Sequence, residues 1–149
     1  MPPSEIEITN LLYQYAEYID AGDFAAAARL FEHAELRVRP DDGPHSSVSA
    51  EGILALWRRM IVVYPDGTPR TKHVVTNPIV DVDEDSGTAT CRSYYTVLQQ
   101  TDDFPLQVVV TGRYDDRFER VDGRWRFSYR DYTKIDQVGD ISNHLSQRI

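Results

Sequence analysis

Histidine is the side chain best suited to exchange a proton near neutral pH, and the sequence has four of them. His73 opens an apolar stretch, residues 73–82, in which strand alternation puts His73, Val75 and Asn77 on one face. If that face lines a cavity, His73 is a candidate general base with Asn77 beside it. The alternative is a core histidine that bonds a backbone carbonyl. Solvent exposure is expected for the other three: His33, His45 and His144.

Asp20 and Tyr15 are the next candidates, because both belong to the first predicted helix. A carboxylate at a helix C-terminus opposes the helix dipole at a cost of a few tenths to about 1 kcal/mol, so we expect another group to hold Asp20 there. Tyr15 lies roughly 140° away around a regular helix. The two can border one cavity if Asp20 lies where the helix frays. Otherwise Asp20 is a turn residue bonded to local backbone and Tyr15 is a core aromatic.

The remaining polar candidates carry weaker signals. Asn77, Thr111 and Arg113 are possible pocket residues on predicted strands. His73 has no second histidine or cysteine at ligand spacing, so the sequence predicts no metal site and no cofactor. Three carboxylates of the late strands are expected to be mainly solvated: Asp115, Asp116 and Asp131.

Three helices are predicted in the first half of the chain. Ser4 and Glu7 have the spacing of a capping box, Gly22 supplies a stop, and Asp23 and Ser49 are candidate N-caps. Between these signals, apolar residues recur at helical spacing or alanines favour a helix. The predicted helices cover residues 5–20, 25–31 and 53–61.

From Arg70 onward the pattern changes to strand-like runs of β-branched and aromatic residues. Turn residues separate the runs, most clearly Asp122-Gly123, a strong two-residue hairpin signal. The predicted strands are 36–39, 73–82, 88–99, 106–120 and 124–133. This order predicts one α+β domain over residues 1–149, with N-terminal helices packed on a strongly curved antiparallel sheet that forms a cone with an internal pocket.

The charge balance limits the partners of the protein. The 16 Lys and Arg residues against 24 Asp and Glu give a net charge of -8, which opposes binding to nucleic acid or to an anionic membrane surface. The single cysteine, Cys91, cannot form an internal disulfide. Together with the absence of an apolar leader pattern, this predicts a cytoplasmic protein.

Three segments of the sequence resemble the nuclear-transport-factor-two-like superfamily, in its SnoaL-like branch. They are residues 8–31, the hexapeptide Lys72-His-Val-Val-Thr-Asn77, and residues 112–127. The resemblance implies the cone-shaped α+β fold predicted above. It implies little about the reaction, because the superfamily includes isomerases, hydrolases, cyclases, oxygenase small subunits and members with no known activity.

Within that superfamily the chain is most similar to three lyases: scytalone dehydratase, hexachlorocyclohexane dehydrochlorinase and bile acid 7α-dehydratase. By this resemblance Asp20 orients and charges the imidazole of His73, and His73 removes a proton next to an activating group. Tyr15 then polarises a carbonyl or assists the leaving group. The resemblance therefore implies a cofactor-independent lyase for an apolar cyclic substrate, such as an aromatic or polycyclic molecule.

The chain also departs from these lyases. Scytalone dehydratase has a second pocket histidine on the strand that corresponds to residues 91–96, where this sequence has none. We therefore expect a second polar group to be Arg92, Tyr94 or Tyr95. The alternative function is a non-catalytic ligand-binding protein or an oxygenase accessory subunit. In either case, the uncovered face of the sheet predicts a homodimer or homotrimer.

Overall fold

The computed structural model describes residues 2–147, in which three helices pack on a large, mainly antiparallel sheet. The helices are α1 (Ser4–Asp20), α2 (Phe24–Arg29) and α3 (Ala50–Met60). The strands are β1 (Glu35–Arg37), β2 (Ser47–Val48), β3 (Thr71–Asp83), β4 (Thr88–Thr101), β5 (Phe104–Val121), β6 (Arg124–Asp131) and β7 (Ile135–Val138). The predicted α+β class, with helices on a curved sheet that does not close, is confirmed.

The sheet has the strand order β2-β1-β6-β5-β4-β3, and β7 pairs with the other end of β5. The long strands β3 to β6 form the predicted meander, since each pairs antiparallel with the next. The hairpin at Asp122-Gly123 is confirmed: both residues have positive φ, 53° and 78°, as its tight turn requires. The short strands β2 and β7 were not predicted.

The helix starts were predicted with mixed success. Asp23 and Ser49 cap α2 and α3 by accepting hydrogen bonds from the backbone N–H of Ala26 and Gly52. The capping box of α1 is wrong, because Ser4 is already inside the helix and makes no cap bond. Glu7 instead accepts a hydrogen bond from the backbone N–H of Trp125 at 2.9 Å, which ties α1 to β6.

The core fills the space between the helices and the concave face of the sheet. Ile8, Leu12 and Ile19 of α1 are buried there among aromatic side chains, including Phe31 and Phe127. This core borders a cavity, and Tyr15, Ile19 and Trp57 belong to both the core and the cavity lining.

The segment after β7 returns along α3. The backbone N–H of Val62 donates to the carbonyl of His144 at 2.9 Å, and Ile61 forms a β-bridge with Leu145. The Tyr64 hydroxyl donates to the carbonyl of Asn143 at 2.6 Å. These bonds hold residues 143–145 against the chain that follows α3.

No helix within residues 2–147 combines the length and the apolar character needed to cross a bilayer.

Candidate active site

The Asp20 carboxylate and the His73 ring lie in direct contact where α1 ends against β3. Asp20 Oδ1 is 2.6 Å from His73 Nδ1, and Oδ2 accepts the backbone N–H of His73 at 2.8 Å. The hydroxyl of Thr71 donates to Oδ1 at 2.9 Å. These three donors hold the carboxylate that the helix dipole alone would disfavour.

The geometry assigns the tautomer of a neutral His73. A carboxylate is only an acceptor, so Nδ1 carries the proton and Nε2 keeps its lone pair. The His73 side chain is 8% exposed and that of Asp20 is 14% exposed. The pair is thus largely shielded from bulk water, and His73 lines the cavity described below.

The sharp turn after α1 allows this approach. Gly22 has φ +76°, and a Cβ there would lie 2.0 Å from the carbonyl oxygen of Gly67. Only glycine permits both the left-handed conformation and this close crossing of two backbones. Asp20 consequently ends α1 two residues before the chain reverses.

The cavity beside the pair has a volume of about 720 Å³. Its walls are mainly apolar, with Ile19, Trp57, Val97 and Val110 among the lining residues. Asp20 and His73 also border a second, more open groove of about 480 Å³ between α1 and β3. We place the candidate site in the larger cavity because its apolar walls surround a set of converging polar groups.

Tyr15 is one of those polar groups. Its hydroxyl accepts a hydrogen bond from the Tyr132 hydroxyl at 3.0 Å, and its ring packs edge-on against Tyr114 at 6.0 Å. Burial raises the pKa of Tyr15 above its ordinary value of 10, although Arg130 and the hydrogen bond from Tyr132 oppose this shift. Tyr15 therefore stays protonated at neutral pH and can donate its own O–H to a ligand.

A buried ion pair packs against the rings of Tyr15 and Tyr114. Both oxygens of Asp116 bind the guanidinium of Arg130, at 2.7 and 3.0 Å, and neither side chain is exposed. The guanidinium lies 3.7 Å from the ring centre of Tyr114 and 4.5 Å from that of Tyr15. The expectation that Asp116 is solvated is wrong, because strand alternation turns it inward while its neighbour Asp115 faces outward.

Of the six weak pocket candidates, only Tyr95 lines this cavity. Its ring stacks on that of Tyr114 at 4.5 Å, and burial raises its pKa to about 12. The other five lie outside the cavity, with Thr111 half-buried and the rest exposed: Asn77, Arg92, Tyr94, Thr111 and Arg113.

Two local features move these five residues away from the cavity. A bulge in β3 between Thr76 and Ile79, where Asn77 has φ +53°, breaks the alternation that His73 begins. On β4, Arg92 and Tyr94 are both exposed on the outer face of the sheet, where Tyr94 pairs with Arg113 of β5. Thr111 lies on that same face, and its hydroxyl donates to Gln137 of β7.

His144 is the site residue that the sequence analysis missed. The expectation of an exposed residue is wrong: His144 is 5% exposed and lines the cavity. Its ring centre is 6.2 Å from that of His73. Burial and the neighbouring His73 lower its pKa to about 4. The apolar residues Ile141 and Leu145 on either side were the available signal that this segment packs against the protein.

Within residues 2–147, no three His, Cys, Asp or Glu side chains gather as a metal site would require.

Known structures share this fold. An NTF2-like protein with a cystatin-like fold from Novosphingobium aromaticivorans aligns with a TM-score of 0.67 and 21% identity over 85% of this chain and 79% of its own. A protein provisionally assigned as a scytalone dehydratase from the same organism gives 0.66 and 20%, over 91% and 86%. The β subunit of a provisionally assigned aromatic-ring-hydroxylating dioxygenase, again from that organism, gives 0.64 and 14%, over 92% of each chain.

At these identities the alignments establish the fold only. No protein with a curated description matches the sequence significantly. The sequence model described as a SnoaL-like domain, however, matches residues 3–131, which include Tyr15, Asp20 and His73. Because this match spans most of the chain, the protein belongs to the SnoaL-like domain family.

Proposed function

We propose that the protein is a cofactor-independent lyase that eliminates water or another leaving group from an apolar cyclic substrate. The observation that carries this proposal is the 2.6 Å contact between Asp20 Oδ1 and His73 Nδ1 beside an apolar cavity. Asp20 fixes the ring and its tautomer, which leaves Nε2 of His73 as the base.

In the proposed reaction His73 Nε2 takes a proton from the carbon next to a substrate carbonyl. The electron pair of that C–H bond forms a double bond to the neighbouring carbon, which loses its hydroxyl group. The hydroxyl leaves with a proton as water, and the imidazole returns to its neutral form. No external oxidant or reductant is needed.

Tyr15 is the proposed electrophile. Its O–H donates to the carbonyl oxygen as negative charge develops there during proton removal. The hydrogen bond that Tyr15 accepts from Tyr132 strengthens this donation. The pair of Arg130 and Asp116 holds the tyrosine rings and is a positioning element rather than a catalytic one.

A non-catalytic or oxygenase-accessory role is the second candidate, and the fold it shares with a dioxygenase β subunit is compatible with it. A filled or shallow cone would favour that role. The cavity of about 720 Å³ and the shielded Asp20–His73 pair favour the lyase.

The test uses 3-hydroxy-1-tetralone, a bicyclic β-hydroxy ketone that loses water to give fluorescent 1-naphthol. We expect the wild-type protein to accelerate this conversion and His73→Gln to reduce the rate by about 10²- to 10⁴-fold. His33→Gln is the matched control, because His33 is exposed and remote from the cavity. A folded His73→Gln protein with the wild-type rate would contradict the proposal, and a wild-type protein without activity on hydroxy and chloro analogues would favour the non-catalytic role.

We also propose a homodimer or homotrimer located in the cytoplasm. Apolar side chains stand on the outer face of the sheet, among them Tyr94, 53% exposed, and Val108, 48% exposed. Another copy of this chain is the occupant best suited to cover them, since in a dimer the same face would meet itself. A reducing compartment suits the single, buried Cys91.

A further inference from the structure

His144, from the C-terminal segment, contributes its ring to the lining of the cavity. His144 is 5% exposed, and its Nδ1 is buried with no hydrogen-bond partner among the described residues. Buried polar nitrogens are almost always bonded, because an unbonded one loses the free energy of its hydration. Because the His144 ring lines the cavity, a molecule that enters the cavity can supply a hydrogen-bond partner to this imidazole.

The position of His144 is fixed by its backbone. Its carbonyl accepts from Val62 at 2.9 Å, and its N–H donates to the carbonyl of Ile141 at 2.9 Å. The carbonyl of the preceding Asn143 accepts from both Tyr64 and the Gln99 side chain, at 2.6 and 2.9 Å. A segment bonded at so many points holds the imidazole in one place, as a binding residue requires.

We propose that His144 is a ligand-binding residue that bonds a hydroxyl group of the molecule in the cavity. This inference rests on the proposed function, because it takes the cavity to be the substrate site. Its ring is 6.2 Å from that of His73 and inclined at 72° to it, so the two imidazoles share one end of the cavity. A hydroxyl both donates and accepts, and therefore matches a neutral imidazole whichever nitrogen carries the proton.

Electrostatics favour a neutral His144. Burial and His73 both disfavour its charged form, and the Asp20 carboxylate opposes them only in part. A ring that is neutral near pH 7 would not compete with His73 for the substrate proton. In the proposed elimination, His144 would hold the leaving hydroxyl while His73 faces the adjacent carbon.

Binding of 2-naphthol and 2-fluoronaphthalene tests the inference without any turnover. The two probes are nearly equal in size, but only the first has a hydroxyl group. Titration near neutral pH, followed by ligand fluorescence, should show that the wild-type protein prefers 2-naphthol by about 3- to 10-fold. His144→Phe should abolish the preference and bind 2-fluoronaphthalene as the wild type does. His33→Phe is the matched control and should keep the preference.

A preference that persists in His144→Phe, or a wild type that binds both probes equally or neither, would overturn the inference. A measurement on the wild type covers the case in which His144→Phe does not fold. The ¹⁵N signals of the His144 ring should shift with 2-naphthol and not with 2-fluoronaphthalene, and unshifted signals would reject the role. If His144→Phe erases the preference but elimination is never detected, the binding role stands and the proposed reaction falls.

Discussion

The Asp20 carboxylate is stabilised by partners that its own helix does not provide. The helix dipole disfavours it by up to about 1 kcal/mol. Hydrogen bonds to a charged group contribute about 1.5–3 kcal/mol each, and Asp20 accepts three, from Thr71 and from the backbone and ring of His73. The balance favours a well-ordered carboxylate. A site that depends on donors from β3 therefore couples the helix to the sheet.

Replacing Asp20 by Asn should test this balance. The amide NH₂ of asparagine cannot accept a hydrogen bond, so at least one of the three donors would lose its partner. We therefore expect Asp20→Asn to lower the free energy of unfolding by about 1–3 kcal/mol in urea denaturation. Asp23→Asn is the matched control, because asparagine caps α2 as well as aspartate does and should change stability little. Equal stability of the two variants would show that the carboxylate contributes no more stability at this position than a neutral amide.

The buried His144 makes stability depend on pH in a defined direction. Its pKa is about 4 in the folded protein and near 6.5 in the unfolded chain, so between these values the unfolded state binds more protons. The contribution of His144 to the free energy of unfolding is therefore fully present above pH 6.5. It decreases by up to about 3 kcal/mol as the pH falls toward 4. The titratable groups that act on it are His73, which lowers its pKa, and Asp20, which raises it.

The variant His144→Phe should lose most of this acid dependence. Urea denaturation of wild type and variant at several pH values between 4 and 7 measures the effect. The exposed His33→Phe should retain the wild-type slope. If His144→Phe keeps the wild-type slope, His144 titrates normally in the folded protein.

Among the helices and strands, the features predicted correctly are the caps and turns that depend on residues close by in the sequence. Asp23, Ser49 and the Asp122-Gly123 turn act within a few residues of themselves, and each was located correctly. What depended on distant contacts was missed. The bulge at Asn77 reverses the face of a strand, and the burial of His144 depends on bonds to residues about eighty positions earlier.

The candidate site also contains both residues that the sequence indicated and residues that only the folded structure reveals. Asp20, His73 and Tyr15 were selected by type and spacing, and the structure brings the first two into contact and puts Tyr15 in the same cavity. Their catalytic roles remain proposals. No local pattern marked Arg130, whose burial is compensated by a carboxylate and several aromatic rings that only the folded sheet assembles.

Strand β5 contains a position that controls how Tyr95 enters the cavity. A Cβ on Gly112 would lie 2.4 Å from the Tyr95 hydroxyl oxygen and 2.5–2.6 Å from ring carbons. We expect Gly112→Ala to displace the ring and lower the free energy of unfolding by about 1–3 kcal/mol. The double variant Gly112→Ala/Tyr95→Leu should recover part of that loss, because leucine has no atoms at the clash. Thermal melts that show Gly112→Ala unchanged would contradict this packing.

At the scale of the whole molecule, the outer face of the sheet is the surface most in need of a partner. Light scattering should give a mass that is two or three times 17.1 kDa at micromolar concentration. Tyr94→Glu places a charge on that face and should shift the mass toward that of a monomer. Ile6→Glu is the control, since Ile6 is equally exposed, at 50%, but lies on α1. A wild-type mass near 17.1 kDa would reject the assembly.

The central claim is that His73, held by Asp20, removes a proton next to a carbonyl group. Hydrogen exchange at C2 of 1-tetralone in D₂O measures this step directly, because the ketone has no leaving group and needs no further reaction. Mass spectrometry should show deuterium uptake accelerated by the wild-type protein and by His33→Gln. In His73→Gln the uptake should fall to the rate in buffer. Uptake in His73→Gln at the wild-type rate, or no acceleration by the wild type, would contradict the account.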